Sequence, residues 1–288
     1  MPNSPRYSVL EQLGTKVMNK AVSLVMAPVA ERAVYDQFRM TVHAVTDLSE
    51  HLRRVTFRAP ELTRHETNGP DEYFGLLMPP PGHAAVTMPS ADRLNVRQAI
   101  RALPEDQRPD LRWYTIRRLR REVGEIDVDI VLHGDAGPGS RWAGAARPGH
   151  EVGFRAGTAT YAPPEGARHR LLAADETALP ALAAILESGQ AAPEGTEPHV
   201  FVEVPDESYR QPVAADVPVS WLYRGGDEPG SRLLPAVRAA SLPVVDYAWL
   251  CGESALASGL RRHLVRDRGV DRRRILFSGY WKLGQART

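Results

Sequence analysis

The pattern of apolar residues changes along this chain at a short proline-containing segment, residues 161–166 (Tyr-Ala-Pro-Pro-Glu-Gly). Before this segment, apolar and polar residues alternate over several short runs, a pattern typical of half-buried strands. After it, short β-rich runs alternate with helical segments, which favours a parallel sheet covered by helices. The order of the two patterns therefore predicts an antiparallel β-barrel domain followed by a parallel-sheet α/β domain.

The same patterns predict where the domains begin and end. A length of 288 residues is enough for two domains of ordinary size. The residues before the first strand have a loose apolar face, interrupted by Pro28, and are predicted to be helical. The predicted parts are a helical N-terminal extension, a barrel domain, a linker and an α/β domain, at residues 1–38, 39–160, 161–167 and 168–288.

Composition excludes several classes of protein. Apolar residues make up 43% and charged residues 25% of the chain, and the net charge is +1, so the overall balance does not indicate a nucleic-acid-binding or membrane protein. The single cysteine, Cys251, excludes a disulfide framework and a cysteine-based metal site. Neither a signal peptide nor an apolar run of about 20 residues is found, and a cytoplasmic protein is expected. The histidines show no metal-ligand spacing, and no bound metal is predicted.

The residues that carry chemistry begin on a predicted strand, residues 112–118 (Arg-Trp-Tyr-Thr-Ile-Arg-Arg). The strand offers a ring, a hydroxyl group and guanidinium groups in Tyr114, Thr115, Arg112 and Arg117. This combination suits a planar, anionic cofactor, because the ring can stack, the hydroxyl can reach a ring nitrogen and an arginine can meet a phosphate. Alone, the same residues would more often form an ordinary half-exposed strand, so the prediction depends on the segment that follows.

A second strand, residues 125–132, leads into a loop rich in glycine and proline, residues 133–139. Ser140 follows this loop and is predicted to cap the helical turn that carries Trp142. A strand, a glycine loop and a helix start together form an anion site, because free backbone N–H groups and the helix dipole point at one spot. The two segments together predict a cradle for a flavin and its pyrophosphate.

These segments resemble a known family. Residues 112–117 (Arg-Trp-Tyr-Thr-Ile-Arg) resemble the flavin signature of the ferredoxin–NADP reductase superfamily. Residues 129–143 (Asp-Ile-Val-Leu-His-Gly-Asp-Ala-Gly-Pro-Gly-Ser-Arg-Trp-Ala) are similar to the siderophore-interacting proteins, the FAD-dependent ferric-siderophore reductases. Two later segments fit the same family, residues 171–180 (Leu-Leu-Ala-Ala-Asp-Glu-Thr-Ala-Leu-Pro) and 279–284 (Gly-Tyr-Trp-Lys-Leu-Gly). The likeness extends over residues 40–284.

The resemblance implies an FAD site in the barrel domain and a ferredoxin–NADP reductase-like fold. In the family's arrangement Tyr114 stacks on the isoalloxazine ring, Thr115 hydrogen-bonds its edge and Arg112 meets the pyrophosphate. The flavin carries the electrons, so no protein acid, base or nucleophile is predicted. The other residues that the resemblance assigns to the cofactor are Arg117, His133, Gly134, Gly137, Ser140, Trp142, Asp175, Glu176 and Thr177.

The last three of these residues, 175–177 (Asp-Glu-Thr), also fit a second interpretation, a helix N-cap with acidic residues in its first turn. Capping does not exclude contact with the cofactor. The resemblance places the nicotinamide of NADPH or NADH near Gly252 and Glu253. Arg224 is a candidate partner for an NADPH phosphate, although an arginine on a loop is more often simply solvated.

Ferric siderophores are often anionic, so a reductase that acts on them needs basic groups near the flavin. The candidate substrate residues are Trp281, Lys282, Arg54 and Arg118. For each of the three cations, a solvated surface group is the more frequent case, because arginine is common throughout the chain. Cys251 is expected to pack as a small buried residue rather than to take part in redox chemistry.

The function implied by the resemblance is reduction of ferric siderophores by FAD, with electrons from NADPH or NADH and release of Fe(II). Two alternatives remain open. One is a flavoprotein that binds a ferric chelate or a protein partner with little turnover, and the other is a flavin reductase or ferredoxin-fed reductase of another acceptor. Nucleic acid and membrane insertion are not expected.

Two positions depart from the family's pattern. The family usually carries a Gly-Pro-x-Gly turn at the end of the barrel, where this chain has residues 157–160 (Gly-Thr-Ala-Thr). Ala174 stands where a glycine is usual before Asp175. A methyl group at a loop that approaches a nucleotide closely would disfavour its binding. These departures put the use of pyridine nucleotides in doubt more than flavin binding.

Overall fold

The computed structural model describes residues 7–8, 11, 13, 23–132, 137–211, 213 and 216–285. The chain divides into two compact units. The first, here named the barrel unit, takes the described residues within 1–21, 30–68 and 72–159, and the second, the α/β unit, takes those within 22–29, 69–71 and 160–288.

Besides the helical residues Glu11 and Leu13, the described part of the barrel unit contains an antiparallel sheet of seven strands and two α-helices. The strands are β1 (Gln37–Ser49), β2 (Leu52–Arg58), β3 (Tyr73–Met78), β4 (Asp110–Thr115), β5 (Arg118–Arg120), β6 (Glu125–Val131) and β7 (Glu151–Ala156). The helices are α1 (Val96–Arg101) and α2 (Pro138–Ala145). The strand order is β4-β3-β7-β1-β2-β6-β5. The first and last strands of this order are consecutive in the chain, so the sheet curls into a barrel-like form.

The barrel core follows from the alternation of side chains along each strand. On β2 and β6, the inward positions carry apolar side chains such as Val55, Phe57 and Val128, each fully shielded from solvent. Phe154 on β7 is stacked on both sides, with ring centroids 4.5 Å from Phe38 and 4.9 Å from Phe74. Burial of each such side chain contributes about 1.5–3 kcal/mol.

The described part of the α/β unit contains a five-stranded parallel sheet and three α-helices. In chain order its elements are β8 (His169–Asp175), α3 (Leu179–Glu187), β9 (Glu197–Val204), β10 (Val219–Tyr223), α4 (Leu233–Ala239), β11 (Tyr247–Glu253), α5 (Ser254–Arg266) and β12 (Ile275–Trp281). The strand order is β10-β9-β8-β11-β12. All carboxyl ends therefore lie at one edge, where ligands of such sheets usually bind.

Both faces of this sheet are buried. Leu172 and Trp249 belong to a cluster that includes most of α3. Leu171 and Leu250, one residue away in their strands, belong to a second cluster with apolar residues of α4 and α5. This explains why β8 reads as a continuous apolar run rather than as an alternation.

The predicted fold class, a barrel followed by a parallel α/β sheet, is confirmed by this topology. The prediction of helix through residue 38 is wrong for residues 27–38, which carry no helix before β1 begins at Gln37. Proline at position 28 cannot donate a helical hydrogen bond. The N–H of Ala27 instead donates to the Ile275 carbonyl at 3.0 Å.

The predicted strand 112–118 is interrupted in the structure. β4 ends at Thr115 and β5 begins at Arg118. Between them the N–H of Arg117 donates to the Asp127 carbonyl at 2.9 Å, which directs the chain from one end of the sheet to the other. None of the helices that the structure describes is long and apolar enough to cross a membrane.

Candidate functional site

β4 brings two of the predicted flavin residues to the start of α2. Arg112 and Tyr114 are two residues apart and therefore lie on the same side of the strand. A Cβ atom added to Gly139 would collide with the Tyr114 hydroxyl group and would lie 3.4 Å from Cγ of Arg112. Only glycine fits here, so the ring and the arginine stem lie directly against the first turn of the helix. Burial raises the pKa of Tyr114 to about 12, and its hydroxyl group is therefore neutral.

No side chain of the described residues caps the first turn of α2. Gly137 is the N-cap residue in extended conformation, and Pro138 is the first helical residue. The prediction that Ser140 caps this helix is wrong, because Ser140 lies inside the first turn. A helix start without a capping side chain leaves backbone N–H groups and the positive end of the dipole available to an anion. Two other predicted residues of this loop, His133 and Gly134, lie outside the described residues.

These residues fit the phosphate end of FAD. The Arg112 guanidinium donates to the Leu111 carbonyl at 2.7 Å, and no carboxylate of the described residues pairs with it. Among the described residues, an arginine without an acidic partner and an uncapped helix start thus lie at one place in the barrel unit. Both are donors that favour a doubly charged pyrophosphate.

Three other predicted flavin residues of the barrel unit contact other parts of the protein. Thr115 lies on the opposite side of β4 and is 8% exposed. Trp142 stacks on Phe57, with ring centroids 5.9 Å apart, and packs against the barrel core. Nε of Arg117 lies 3.6 Å from a carboxylate oxygen of Asp129. Their assignment to the cofactor stays a prediction.

Arg54, a predicted substrate residue, belongs to a ladder of charges between β2 and β6. It donates to both carboxylate oxygens of Asp129 at 2.7 and 2.8 Å. The next cross-strand pair joins the Thr56 hydroxyl group to Asp127 at 2.7 Å. Burial alone would raise the pKa of Asp127, but hydrogen bonds from Arg120 and Thr56 outweigh it and lower the pKa below its usual value. The ladder is therefore ionised and internally neutralised, and Arg54 is not a free cation.

Arg118 differs from Arg54. It is exposed on β5, and no carboxylate of the described residues lies within ion-pair distance of its guanidinium. Lys282, at the end of the α/β unit, is likewise exposed. Of the predicted substrate cations, these two have the charge available for an anionic ligand.

In the α/β unit, Asp175 lies at the carboxyl end of β8 and is completely buried. One carboxylate oxygen accepts hydrogen bonds from the N–H and hydroxyl group of Thr177, at 2.9 and 2.6 Å. The other accepts from the N–H of Glu253 at 2.7 Å and the indole of Trp281 at 2.8 Å. Burial and then repulsion from Glu176 raise the pKa of Asp175 to about 6. This carboxyl group therefore ties together the ends of β8, β11 and β12.

Gly252 permits this arrangement. Its φ is +144°, and an added Cβ would lie 2.6 Å from the Asp175 carboxyl carbon. A side chain at this position would displace the carboxyl group, so the predicted nicotinamide position is also a position of close internal packing.

Glu176 and Arg224 form a buried pair, 2% and 9% exposed. The guanidinium donates to both carboxylate oxygens, at 2.8 and 2.7 Å. Burial alone would lower the pKa of Arg224, but Glu176 outweighs it and raises the pKa above its usual value. The guanidinium edge that would meet an NADPH phosphate is thus occupied by Glu176.

Glu253 caps α5. Its carboxylate accepts from the N–H groups of Ala255 and Leu256, at 2.5 and 3.0 Å. The adjacent Ser254 donates its hydroxyl group to the Trp281 carbonyl at 2.7 Å. These bonds hold the tail that carries Lys282 against the start of the helix.

Comparison with known proteins now decides the family. Residues 41–160 match the family model described as the siderophore-interacting FAD-binding domain, and residues 167–284 match that of the siderophore-interacting protein. The siderophore-interacting protein SipS from Aeromonas hydrophila is 31% identical in sequence, and the match covers 86% of this chain and 92% of that chain with a TM-score of 0.70. The chain belongs to the siderophore-interacting protein family.

Relatives of this chain include proteins named for their activities. The ferric vibriobactin reductase of Vibrio cholerae is 26% identical over 83% of this chain and 86% of its own length. The NADPH-dependent ferric-chelate reductase of Escherichia coli is 26% identical over 84% of this chain and 91% of its own length.

The structure explains both departures from the family's pattern. At the end of the barrel, Thr158 donates to the Ala30 carbonyl at 2.5 Å and accepts from the Asn68 amide at 2.9 Å. Thr160 bonds through its N–H, at 2.9 Å, and its hydroxyl group to Asp71. Hydroxyl hydrogen bonds thus hold the turn that proline and glycine form elsewhere.

The methyl group of Ala174 lies in the apolar cluster of the α/β unit that includes α3, and it is fully buried. The expectation that this methyl group approaches a nucleotide is therefore wrong, because Ala174 is inside β8 and faces the core. The prediction that Cys251 packs as a buried residue is confirmed, and burial raises the pKa of its thiol well above its usual value.

The role of Glu203, the penultimate residue of β9, is set by partners that are distant in sequence. This buried carboxylate accepts from the N–H groups of Gly230, Arg232 and Leu233 at 2.6, 2.8 and 3.0 Å. It holds the loop before α4. An acidic residue near the end of an apolar strand was the available signal, but its partners are 27 to 30 residues away in sequence.

Proposed function

We propose that this protein reduces ferric siderophores and releases Fe(II), with FAD passing electrons from NADPH or NADH to the chelate. One observation carries the proposal: in the domain that matches an FAD-binding family, Arg112 and Tyr114 lie against the uncapped start of α2. The names of the Vibrio cholerae and Escherichia coli relatives support ferric chelates as the substrate class. FAD, when bound, supplies the electron transfer itself.

In this proposal the protein's own groups bind and orient. Arg112 and the N–H groups of the first turn of α2 hold the pyrophosphate. Tyr114 stays neutral and packs its ring beside the cofactor. The remaining family-assigned contacts stay part of the proposal, namely Thr115, Arg117, His133, Gly134, Gly137, Ser140, Trp142, Asp175, Glu176 and Thr177.

The proposed contacts to the substrate are exposed cations, and the proposed contacts to the electron donor are residues of the α/β unit. Lys282 and Arg118 attract the anionic chelate, with Trp281 beside Lys282 and Arg54 as the weaker candidate because of its bond to Asp129. Gly252 and Glu253 lie at the strand edge where the nicotinamide is proposed to bind. The cytoplasm is the proposed location, since NADPH and NADH are available there.

The pairing of Arg224 with Glu176 favours NADH or reduced ferredoxin as alternative electron donors to NADPH. If this pair persists, an NADPH phosphate gains no contact from Arg224, and NADH or a reduced ferredoxin serves as well. Anaerobic titration with NADPH, NADH and reduced ferredoxin, followed through flavin absorbance, distinguishes these donors. Equal reduction by both nucleotides is expected if the Arg224–Glu176 pair stays intact.

The main test is cofactor content and turnover. The purified protein should be yellow, release FAD on denaturation and reduce a ferric chelate in the presence of a nucleotide, with Fe(II) captured by a coloured ligand. A colourless protein that takes up no FAD would refute the proposal, and a yellow protein without turnover would support the binding-only alternative.

Arg112→Ala sharpens this test. It should weaken FAD binding by roughly tenfold or more, because a charge-assisted hydrogen bond contributes about 1.5–3 kcal/mol. Arg101→Ala is the matched control, since Arg101 is an exposed arginine of α1 in the same unit. Equal FAD affinity in the two variants would show that the phosphate site lies elsewhere.

A further inference from the structure

The amino ends of two neighbouring strands in the α/β unit carry a group of side chains that the proposed function does not use. His169 is the first residue of β8, and Glu197 and His199 are the first and third residues of β9. One nitrogen of each imidazole and one carboxylate oxygen lie within 4.8 Å of one another. Asp175 and Glu203 lie at the opposite, carboxyl ends of the same two strands.

Strand register brings the three side chains together. The parallel ladder of β8 and β9 pairs His169 with Glu197, and Leu171 with His199. Because side chains alternate between faces, all three point from the same face of the sheet. The sequence shows no metal-ligand spacing here, because residues 169 and 199 become neighbours only through this register.

The backbone at this end is held independently of any ligand. The N–H of Glu197 donates to the Arg168 carbonyl at 2.9 Å. Asp246, just before β11, accepts from the N–H of His169 at 3.0 Å and donates its own N–H to the His169 carbonyl at 2.8 Å. The backbone that carries the three side chains is therefore held in place before a ligand arrives, which lowers the cost of binding.

The ring nitrogens at this place are unsatisfied. Nδ1 of His169 and Nε2 of His199 are buried and have no hydrogen-bond partner among the described residues. An unsatisfied buried polar atom is destabilising, and each such atom needs an explanation. An ion pair between His169 and Glu197 would account for one of these nitrogens and leave that of His199 without a partner.

A metal ion would account for both nitrogens. Imidazole nitrogens and carboxylate oxygens are preferred ligands of zinc and its neighbours, whereas magnesium and calcium prefer oxygen alone. With metal–ligand bonds of about 2.1 Å, a tetrahedral ion holds its ligand atoms about 3.4 Å apart. Nδ1 of His169 and Oε2 of Glu197 are 3.3 Å apart.

We propose that His169, Glu197 and His199 bind one divalent first-row transition metal ion, with Zn²⁺ as the reference ion and a water molecule as the fourth ligand. The Glu197 side chain is 71% exposed, so the ion enters from solvent on that side. The bound ion links the first residues of β8 and β9 and stabilises the folded α/β unit by mass action.

The test is a calorimetric titration of the chelator-treated, FAD-loaded protein with ZnCl₂, paired with a titration with CoCl₂ followed through visible absorption. One ion should bind per chain, and the cobalt spectrum should show the intense bands of a tetrahedral site. His199→Gln and Glu197→Gln should each weaken zinc binding at least about tenfold. His83→Gln, which changes an exposed histidine of the barrel unit, should leave the affinity unchanged.

Thermal unfolding supplies a second measurement that does not depend on activity. Zn²⁺ should raise the unfolding temperature of the parent and of His83→Gln, but not that of the double variant His169→Gln/His199→Gln. Retained FAD and circular dichroism verify that each variant is folded. If the parent binds Zn²⁺ no more tightly than the double variant or Glu197→Gln, the metal site does not exist.

Discussion

Two helix starts of this protein differ in what closes them. α2, in the barrel unit, begins after Gly137 without a side-chain cap, and Arg112 beside it has no carboxylate partner among the described residues. α5, in the α/β unit, begins after Glu253, whose carboxylate accepts two of the first N–H groups. The first start is therefore available to an external anion, whereas the second is already occupied by an anion of the chain itself.

The same difference holds for the charged residues near each helix. At the strand ends of the α/β unit, Asp175, Glu176 and Glu203 are all bonded within the protein. From the sequence alone, the acidic residues, arginines and glycines near these helix starts would be interpreted in the same way in both units. The structure shows that those of the α/β unit already bond within the protein. Substitutions in the α/β unit should therefore reduce stability first, and substitutions at the start of α2 should reduce FAD binding first.

The largest effect is expected for Glu176→Ala. Removal of one partner of the buried pair leaves the Arg224 guanidinium without the carboxylate to which it donates, so the free energy of unfolding should fall by about 3–5 kcal/mol. Asp47→Ala is the matched control, because its pair with Arg53 is surface-exposed, with the Asp47 side chain 62% exposed, and should lose less than about 1 kcal/mol. Urea denaturation measures both. Equal losses would contradict the description of the Arg224–Glu176 pair as a structural ion pair.

Asp175 should make stability depend on pH. Its pKa in the folded protein is raised to about 6, from 3.8. Between these values the folded state holds a proton that the unfolded state has lost, so this group's contribution to stability falls as pH rises from 4 to 6. The fall is on the order of 3 kcal/mol.

The variant Asp175→Asn isolates the contribution of Asp175 protonation to stability, because the asparagine side chain does not titrate. The stability of the parent relative to the variant should decline across that pH range and be constant above it. Guanidinium denaturation at a series of pH values provides the comparison. A difference that does not change with pH would mean that Asp175 is ionised in the folded protein throughout.

Gly139→Ala tests the open helix start. The new methyl group would collide with the Tyr114 hydroxyl group and displace the first turn of α2. Overpacking of this kind costs about 1–3 kcal/mol, and FAD affinity should fall roughly tenfold to a hundredfold. Gly144→Ala is the control, because it lies in the same helix with open space around an added Cβ. FAD binding that is the same in both variants would argue against cofactor contact at this turn.

The smallest effect is expected for Lys282→Glu. The reversed charge should raise the Michaelis constant for an anionic ferric chelate a few-fold and leave FAD content unchanged. The effect should shrink as salt is added, because exposed charges are screened beyond about 10 Å at 0.1 M. Steady-state kinetics at low and high salt give the answer. Parent-like kinetics at low salt would move the search for the substrate cation to Arg118.

The sequence by itself determined the order of the two folds and most of their elements. Alternation with period two defines the strands of the barrel, and continuous apolar runs between helices define the buried parallel strands. These are local signals, since each depends on residues within about ten positions. The segment with Arg112 and Tyr114 was also recognisable, because its residues are adjacent in sequence and match a family.

Only the tertiary structure decided which of these groups already have partners. Arg54 and Arg112 look equivalent in sequence, yet strand register places Asp129 opposite the first and Leu76 opposite the second. The assembly of His169, Glu197 and His199 depends in the same way on the register of two parallel strands. Hydrogen bonds and ion pairs act over a few ångströms, and only folding sets which distant residues come within that range.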